Sequence, residues 1–326
     1  MADNAVTIDD VARALNVSKT TVSRAVSGKG RISAETRARI LAYIDACGYR
    51  PNAVAKGLAQ NRTRNICAVI PRAAGEQDLW FFRECILGIC SAASRRDYDV
   101  LVTVGEDEAQ LTRILENGKA DGFIAAIGRR GPGPAELIRA HGAKLVIIGP
   151  DSGAGTVCVD NANALAAREL TELLIRRGAE RLALLGGDSG NLVTQSRADG
   201  FSAACRGAGA DALIFPDILD GAGAQAAVDA ALSRDVQALV CMDDGICLLA
   251  VRALADRGAA VPERIKVACL YDSPLMGSLT PGVTAVRFDG VELGVQAAER
   301  AIDLIETGRA ESCVLPDFRI ILRGST

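Results

Sequence analysis

The chain has 326 residues, 49% of them hydrophobic, with a mean hydropathy of +0.18 and a formal net charge of −3. That is enough apolar material for two or three buried cores, which excludes a disordered chain; no apolar run is long enough for a membrane-spanning helix, and the polar N-terminus reads as no secretion leader. His141 is the single histidine, and the ten cysteines (47, 67, 85, 90, 158, 205, 241, 247, 269 and 313) show no CxxC spacing. This excludes most His-based triads and zinc sites, calls for no cofactor or metal, and reads the cysteines as small buried hydrophobes of a reducing cytoplasmic compartment. The net charge hides an asymmetry: residues 1–64 hold 11 Lys/Arg against 5 Asp/Glu, and the remaining 262 hold 26 against 35. A basic head on an acidic body points to a polyanion partner for the head alone.

The stretch Thr7–Val26 predicts two short helices broken by a turn. Thr7 and Asp10 have the spacing of a capping box, and Ile8, Val11, Ala12 and Leu15 fall on one stripe. Asn16-Val17 makes the break, and Ser18 caps the second helix. On that helix Val22, Ala25 and Val26 share one side, while Thr20, Ser23, Arg24 and Ser27 gather on the other, with Lys19 at its start. Small hydroxyls and one Arg suit a helix lying in a DNA major groove; an ordinary amphipathic pair in a bundle is the alternative. Ser33 starts a third helix with Glu35 in its first turn, with Ile40, Ala42, Tyr43 and Ile44 as apolar surface and Gly48 as its stop. Residues 52–64 follow Pro51. Asn52 can cap a brief helix there whose Ala53, Val54 and Leu58 have no core to join, so the stretch is either a frayed linker or one that becomes helical against a partner.

TIDDVARALNVSKTTVSRAVSG, ISAETRARILAYIDACGYRPN and AVAKGLAQNRTRNICAVI together resemble the DNA-binding head and hinge of the lactose/galactose repressor family. The resemblance implies that Lys19, Thr20 and Arg24 read bases. It places Ser18, Thr21, Ser23, Ser27, Arg31, Ser33 and Asn52 at backbone or flanking contacts. It also puts Ala55 and Leu58 in the minor groove, the Leu as an apolar wedge. Asp9 departs from the aromatic residue found here in some members; a carboxylate repels phosphates, so no contact role is given to it.

From Asn65 short apolar runs alternate with helical stretches: ICAVI, VLVTV, GFIAAI, KLVIIG, TVCV, RLALLG, ALIF, ALVCM, KVACL, TAVRF and a last strand near Phe318–Leu322. Such alternation predicts parallel sheets with crossover helices, too many strands for one sheet and enough for two halves of about six each. The resemblance implies the same: a periplasmic-binding-protein-like body of two Rossmann-like subdomains with a ligand in the cleft. The expected division is a helix-turn-helix domain over 1–50, a hinge over 51–64 and an effector-binding and dimerisation domain over 65–326. Its near half takes about 65–160 plus 290–313, its far half about 161–289 plus the C-terminal strand.

Ligands of parallel α/β sheets bind beyond the carboxyl ends of the strands. Those places hold Asp78, Trp80, Phe81 and Phe82; Arg129 and Arg130; Arg197; Asp243 and Asp244; Tyr271, Asp272 and Ser273; Phe288 and Asp289. Aromatic faces stack on sugar rings, and carboxylates and Arg pair with hydroxyls. The candidate effector set is therefore Asp78, Trp80, Phe81, Arg129, Arg197, Asp244, Asp272 and Phe288. The family resemblance places Arg197, Asp244 and Asp272 on the cleft, although both Asp residues also stand where a helix or turn begins and can serve as caps. GEDEAQLTRIL, GKADGFI, VDNANA, LLGGDSGNLVTQSRADGF and VELG loosely resemble maltose-operon repressors, which implies a glucoside such as maltose. Arg129, Arg130 and Arg197 leave a phosphorylated effector open.

GDSG at 187–190 mimics a serine-protease signature, but His141 is the only available base and the chain is α/β, so a strand-to-helix loop is the simpler account. A GxGxxG or GK[ST] motif is absent. A sugar-acting enzyme with a DNA-binding head, or a solute-binding protein, are the competing classes. The expectation is a non-enzymatic homodimeric regulator, a repressor, that reads a palindromic operator.

Overall fold

The computed structural model describes residues 6–28, 30–49, 62–71, 79–105, 107–126, 133–150, 153 and 155–326. The chain divides into two compact units, Met1–Thr63 and Arg64–Thr326.

Among the described residues the first unit carries three helices, α1 (Ile8–Ala14), α2 (Lys19–Ser27) and α3 (Ala34–Cys47). The capping box of α1 is formed: the Thr7 amide donates to Asp10 Oδ2 at 3.0 Å, and the Asp10 amide donates to Thr7 Oγ1 at 3.3 Å. Asn16 makes the break with φ of 51°, a left-handed conformation that Asn tolerates better than most residues. Ser18 caps α2 by accepting from the Thr21 amide at 3.1 Å, and Ser33 caps α3 by accepting from Thr36 at 3.1 Å. Val11, Ala12, Val22, Ala25 and Ile40 form the buried core. Ala42 departs from expectation. It is exposed, and Ile40, Tyr43, Ile44 and Cys47 make the inward stripe instead. At 100° per residue, position 42 lies some 200° from position 40, on the far side of the helix.

The second unit holds two six-stranded sheets. The first contains β1 (Asn65–Ile70), β2 (Asp99–Val104), β3 (Gly122–Ala125), β4 (Leu145–Ile148), β5 (Val157–Asn161) and β11 (Cys313–Leu315), in the order β11-β5-β4-β3-β1-β2. Its helices are α4 (Leu79–Arg95), α5 (Glu108–Glu116), α6 (Pro134–Ala140) and α12 (Gly290–Thr307). The second contains β6 (Arg181–Leu185), β7 (Asp211–Phe215), β8 (Ala238–Cys241), β9 (Lys266–Cys269), β10 (Thr284–Phe288) and β12 (Phe318–Ile321), in the order β12-β10-β9-β8-β6-β7. With it go α7 (Asn163–Arg176), α8 (Leu192–Ala208), α9 (Gly221–Ser233), α10 (Asp244–Asp256) and α11 (Pro274–Ser278). The central strands β3, β4 and β8 are buried at every position, as strands covered by helices on both faces must be.

The sheets are parallel as expected, and among the described residues one pairing departs from that pattern: β12 runs antiparallel to β10, with Phe318 opposite Phe288. The cause is the short link. β11 ends at the cleft side of the first sheet, and only residues 316–317 separate it from β12. The chain therefore enters the second sheet at the carboxyl end of its neighbours and must run against them. Two helix crossings are close enough to require glycine. A Cβ on Gly294 of α12 would lie 2.1 Å from the Cys85 carbonyl oxygen of α4, and one on Gly200 of α8 would lie 2.1 Å from the Ala164 carbonyl oxygen of α7. Six of the ten cysteines (67, 85, 205, 241, 247 and 269) are buried. Burial pushes the Cys67 thiol up to about 12, which suits a packing residue better than a nucleophile. No described helix is long and apolar enough to cross a membrane.

Candidate DNA-reading face and effector cleft

On the head, Ser18, Lys19, Thr20, Ser23, Arg24, Arg31 and Ser33 are exposed, and Thr21 is half-buried. The hydroxyls of Ser18 and Thr21 bond each other at 2.8 Å, so both also serve the cap. Ser33 likewise bonds Thr36 at 2.7 Å. Lys19 is held by Asp9 at 2.7 Å. The Arg24 stem runs beside Gly30, where a Cβ would lie 3.1 Å from it. α2 ends at Ser27. Asn52, Ala55 and Leu58 lie outside the described residues.

In the body, the carboxyl ends of both sheets face a cavity of about 330 Å³, at the lower end of the roughly 300–1,000 Å³ usual for small-molecule sites. Phe81 and Phe82, from the first turns of α4, supply its aromatic wall together with Tyr271, the residue two after β9. Phe81 meets Phe82 edge-on at 5.5 Å and Tyr271 at 5.9 Å, so one aromatic cluster joins the two sides of the cleft. Asp160 and Asn161 at the end of β5, Asn163 at the start of α7, and Asp188 and Asn191 in the loop before α8 supply polar groups.

Arg197 is the cationic group among the described lining residues. Its Nε donates to Asn163 Oδ1 at 3.0 Å, its Nη1 donates to the Met242 carbonyl at 2.7 Å, and its guanidinium sits 5.8 Å from the Phe288 ring. Asp160 Oδ1 accepts from the Asn161 amide at 2.8 Å and from Asn163 Nδ2 at 2.9 Å. Burial pushes the Asp160 carboxyl up to about 6, against the pull of those donors and of Arg197. Asp243 caps α10 by accepting from the Ile246 amide at 2.8 Å, and burial raises its carboxyl above the usual range too.

The candidate effector residues separate on this geometry. Phe81 and Arg197 lie on the cavity wall, and Phe288 lies behind Arg197. Trp80 is not among the lining residues and instead carries the Arg83 guanidinium at 5.1 Å from its ring. Asp244 is 1% exposed and off the wall, its carboxyl pushed up by burial. Asp272 is also off the wall. Its fully buried carboxylate pairs with Arg287 at 2.7 Å and Arg323 at 2.8 Å, tying the loop after β9 to β10 and to the C-terminal segment. Asp78 and Arg129 lie outside the described residues.

In two cases the cavity takes the preceding neighbour, Asp243 and Tyr271. At α10 the helix start decides it: Asp243, the cap, faces the cleft, while Asp244, the first helical residue, turns inward. Asp160, Asn161 and Asn163 went unnoticed although the strand-end rule covers β5 as well as its neighbours, and VDNAN marks the place.

A three-helix head with an exposed polar recognition helix, joined in one chain to a two-sheet body with a ligand-sized cleft, has the layout of a bacterial transcriptional regulator. Residues 7–52 match the family described as "Bacterial regulatory proteins, lacI family", and residues 171–326 match the "Periplasmic binding protein-like domain". The chain thus carries a LacI-family helix-turn-helix domain and a periplasmic-binding-protein-like domain. Catabolite control protein A of Staphylococcus aureus is 26% identical over 336 residues, covering 98% of this chain and 99% of that protein. The HTH-type transcriptional regulator MalR of Streptococcus pneumoniae is 30% identical over 209 residues, covering 62% of this chain and 63% of that one. The structure of the transcriptional regulator CelR in complex with cellobiose superposes with a TM-score of 0.72 at 25% identity, covering 98% of this chain and all of that one.

Proposed function

We propose that the protein is a cytoplasmic, non-enzymatic repressor of carbohydrate-utilisation genes that binds a palindromic operator as a homodimer and is controlled by a neutral sugar, a glucoside such as maltose or cellobiose. The observation that carries the sugar assignment is the cavity wall: carboxylates and amides of Asp160, Asn161, Asp188, Asn191 and Asp243 around Arg197, faced by Phe81, Phe82 and Tyr271. Hydroxyl groups donate to the carboxylates and accept from Arg197 and the amides, while the flat C–H faces of a pyranose stack on the rings. The names of MalR and of the CelR–cellobiose complex point the same way.

In this reading residues 1–50 are the DNA-binding domain, with Lys19, Thr20 and Arg24 on bases and Ser18, Thr21, Ser23, Ser27, Arg31 and Ser33 on or beside the backbone. Residues 51–64 are a hinge that folds on operator, with Asn52 at its start and Ala55 and Leu58 in the minor groove. One head reads few base pairs, and a two-fold pair of heads supplies a palindrome. Sugar closes the cleft and separates the paired hinges, so operator affinity falls; by linkage, operator must weaken sugar binding by the same factor. The test is a thermal-shift screen of neutral mono- and disaccharides, followed by a salt-titrated operator titration with and without the best hit. A sugar that stabilises the chain and weakens operator binding is expected. Turnover of that sugar, or equal affinity for palindromic and random duplexes, overturns the reading.

A further inference from the structure

Asp9 and Lys19 sit on different helices of the head, α1 and α2, and meet in an ion pair with Lys19 Nζ 2.7 Å from Asp9 Oδ1. The adjacent Asp10 has internal work: it closes the capping box with Thr7 and pairs with Arg13 at 3.2 Å. The Asp9 carboxylate has no other partner among the described residues, and the two side chains remain 63% (Lys19) and 47% (Asp9) exposed. An ion pair that exposed does little for stability; the packed core of Val11, Val22 and Ile40 holds these helices together. The consequence of the pair is chemical. It fixes a carboxylate beside the first residue of the helix that reads DNA.

Against phosphate that carboxylate is a liability, since it cancels a positive charge and repels the backbone. Against base edges it is an asset. In a G·C pair the guanine O6 acceptor and the cytosine N4 donor lie side by side in the major groove, bonded to each other at about 2.9 Å. Lys19 and Asp9 offer a donor and an acceptor at 2.7 Å. The two couples can lie edge to edge in a closed array, the ammonium donating to O6 and N7 and the carboxylate accepting from N4. The ion pair need not break for this to happen.

We propose that Asp9 is a base-reading residue and that, with Lys19, it specifies one G·C pair in each operator half-site. The proposal rests on the reading of the head as a DNA-binding module. Because the two charges cancel, the couple adds sequence preference without adding to the salt dependence of binding.

The test uses the full chain and a duplex library with both half-sites randomised. Wild type is expected to select G·C at one half-site position. Asp9→Ala should weaken that preference roughly tenfold, with the other positions unchanged. Asp9→Asn keeps an oxygen acceptor and should fall between the two. Lys19→Ala should lose the same position, and the double variant should lose nothing more, because the two side chains act as one reader. Asp9 is half-buried at most and lies outside the core of the head, so each variant should melt with wild type. The proposal is overturned if Asp9→Ala tightens binding evenly to every sequence, which marks simple phosphate repulsion, or leaves the selected sequence intact. A wild-type chain that selects no sequence removes the DNA-binding reading itself, and so separates the two failures.

Discussion

In the head, five buried side chains between Val11 and Ile40 support an exposed face whose described contact candidates, Ser18 to Ser33, lie within one short stretch of chain. In the body, the cavity wall is gathered from Pro71 through Leu293, from the ends of strands in two sheets, and its polar groups are partly buried. The head presents side chains on a rigid local scaffold, so its contacts couple only between immediate neighbours, as Asp9 with Lys19 and Ser18 with Thr21. The body desolvates its polar groups and makes them depend on one another, as the Arg197, Asn163 and Asp160 chain of hydrogen bonds shows. Substitutions in the head should therefore have local effects, coupled only across such pairs, and substitutions in the body effects coupled along the whole network.

The largest effect is expected at Asp272. Asp272→Asn removes the countercharge from Arg323, only 19% exposed, and from Arg287, which is half exposed and loses less. Removing one member of a buried pair costs about 3 kcal/mol or more, to be read by urea unfolding of the full chain. Unchanged stability with a lost sugar response would return Asp272 to the ligand site and blur the contrast between buried scaffold and cavity wall. Arg197→Ala comes next. Hydrogen bonds from its charged guanidinium to sugar hydroxyls should be worth about 1.5–3 kcal/mol of sugar affinity, seen calorimetrically, with operator binding in the absence of sugar unchanged. Arg24→Ala tests the other region: about 1–3 kcal/mol at one operator position with relaxed base preference there. A uniform loss across sequences would assign Arg24 to phosphate.

The same contrast governs what the sequence makes legible. Helix starts in the head are chemical events of four residues, so Thr7/Asp10, Ser18 and Ser33 announce them, and the structure forms each cap. The strand and helix alternation of the body also reads directly, because β3, β4 and β8 are continuous apolar runs in a covered sheet. The cavity is less legible. Asp243-Asp244 and Tyr271-Asp272 each offer two candidates one residue apart; the first choice is set by where α10 begins, a matter of a single residue, and the second by the distant partners Arg287 and Arg323 that hold Asp272. The antiparallel β12 depends on a fact no local pattern carries, that its two-residue link joins different sheets.

The most diagnostic effect belongs to Asp160. Burial raises its carboxyl to about 6 in the folded chain, above the roughly 3.9 of an unfolded aspartate. Between those values the folded state binds more protons than the unfolded state, so this group favours the fold below about pH 4, and its contribution is lost as pH rises through 6. A sugar hydroxyl that donates to Asp160 needs the carboxylate, so affinity should move the opposite way and strengthen as pH passes from 5 to 7. Asp160→Asn should flatten both profiles at once, raising stability near neutral pH and removing the pH dependence of sugar binding. A structural Asp160 that never touches ligand would flatten only the stability profile. The pair of titrations therefore distinguishes a cavity built for a hydroxyl-rich ligand from a buried carboxylate that merely lies beside it, and no exposed residue of the head offers a comparable double signature.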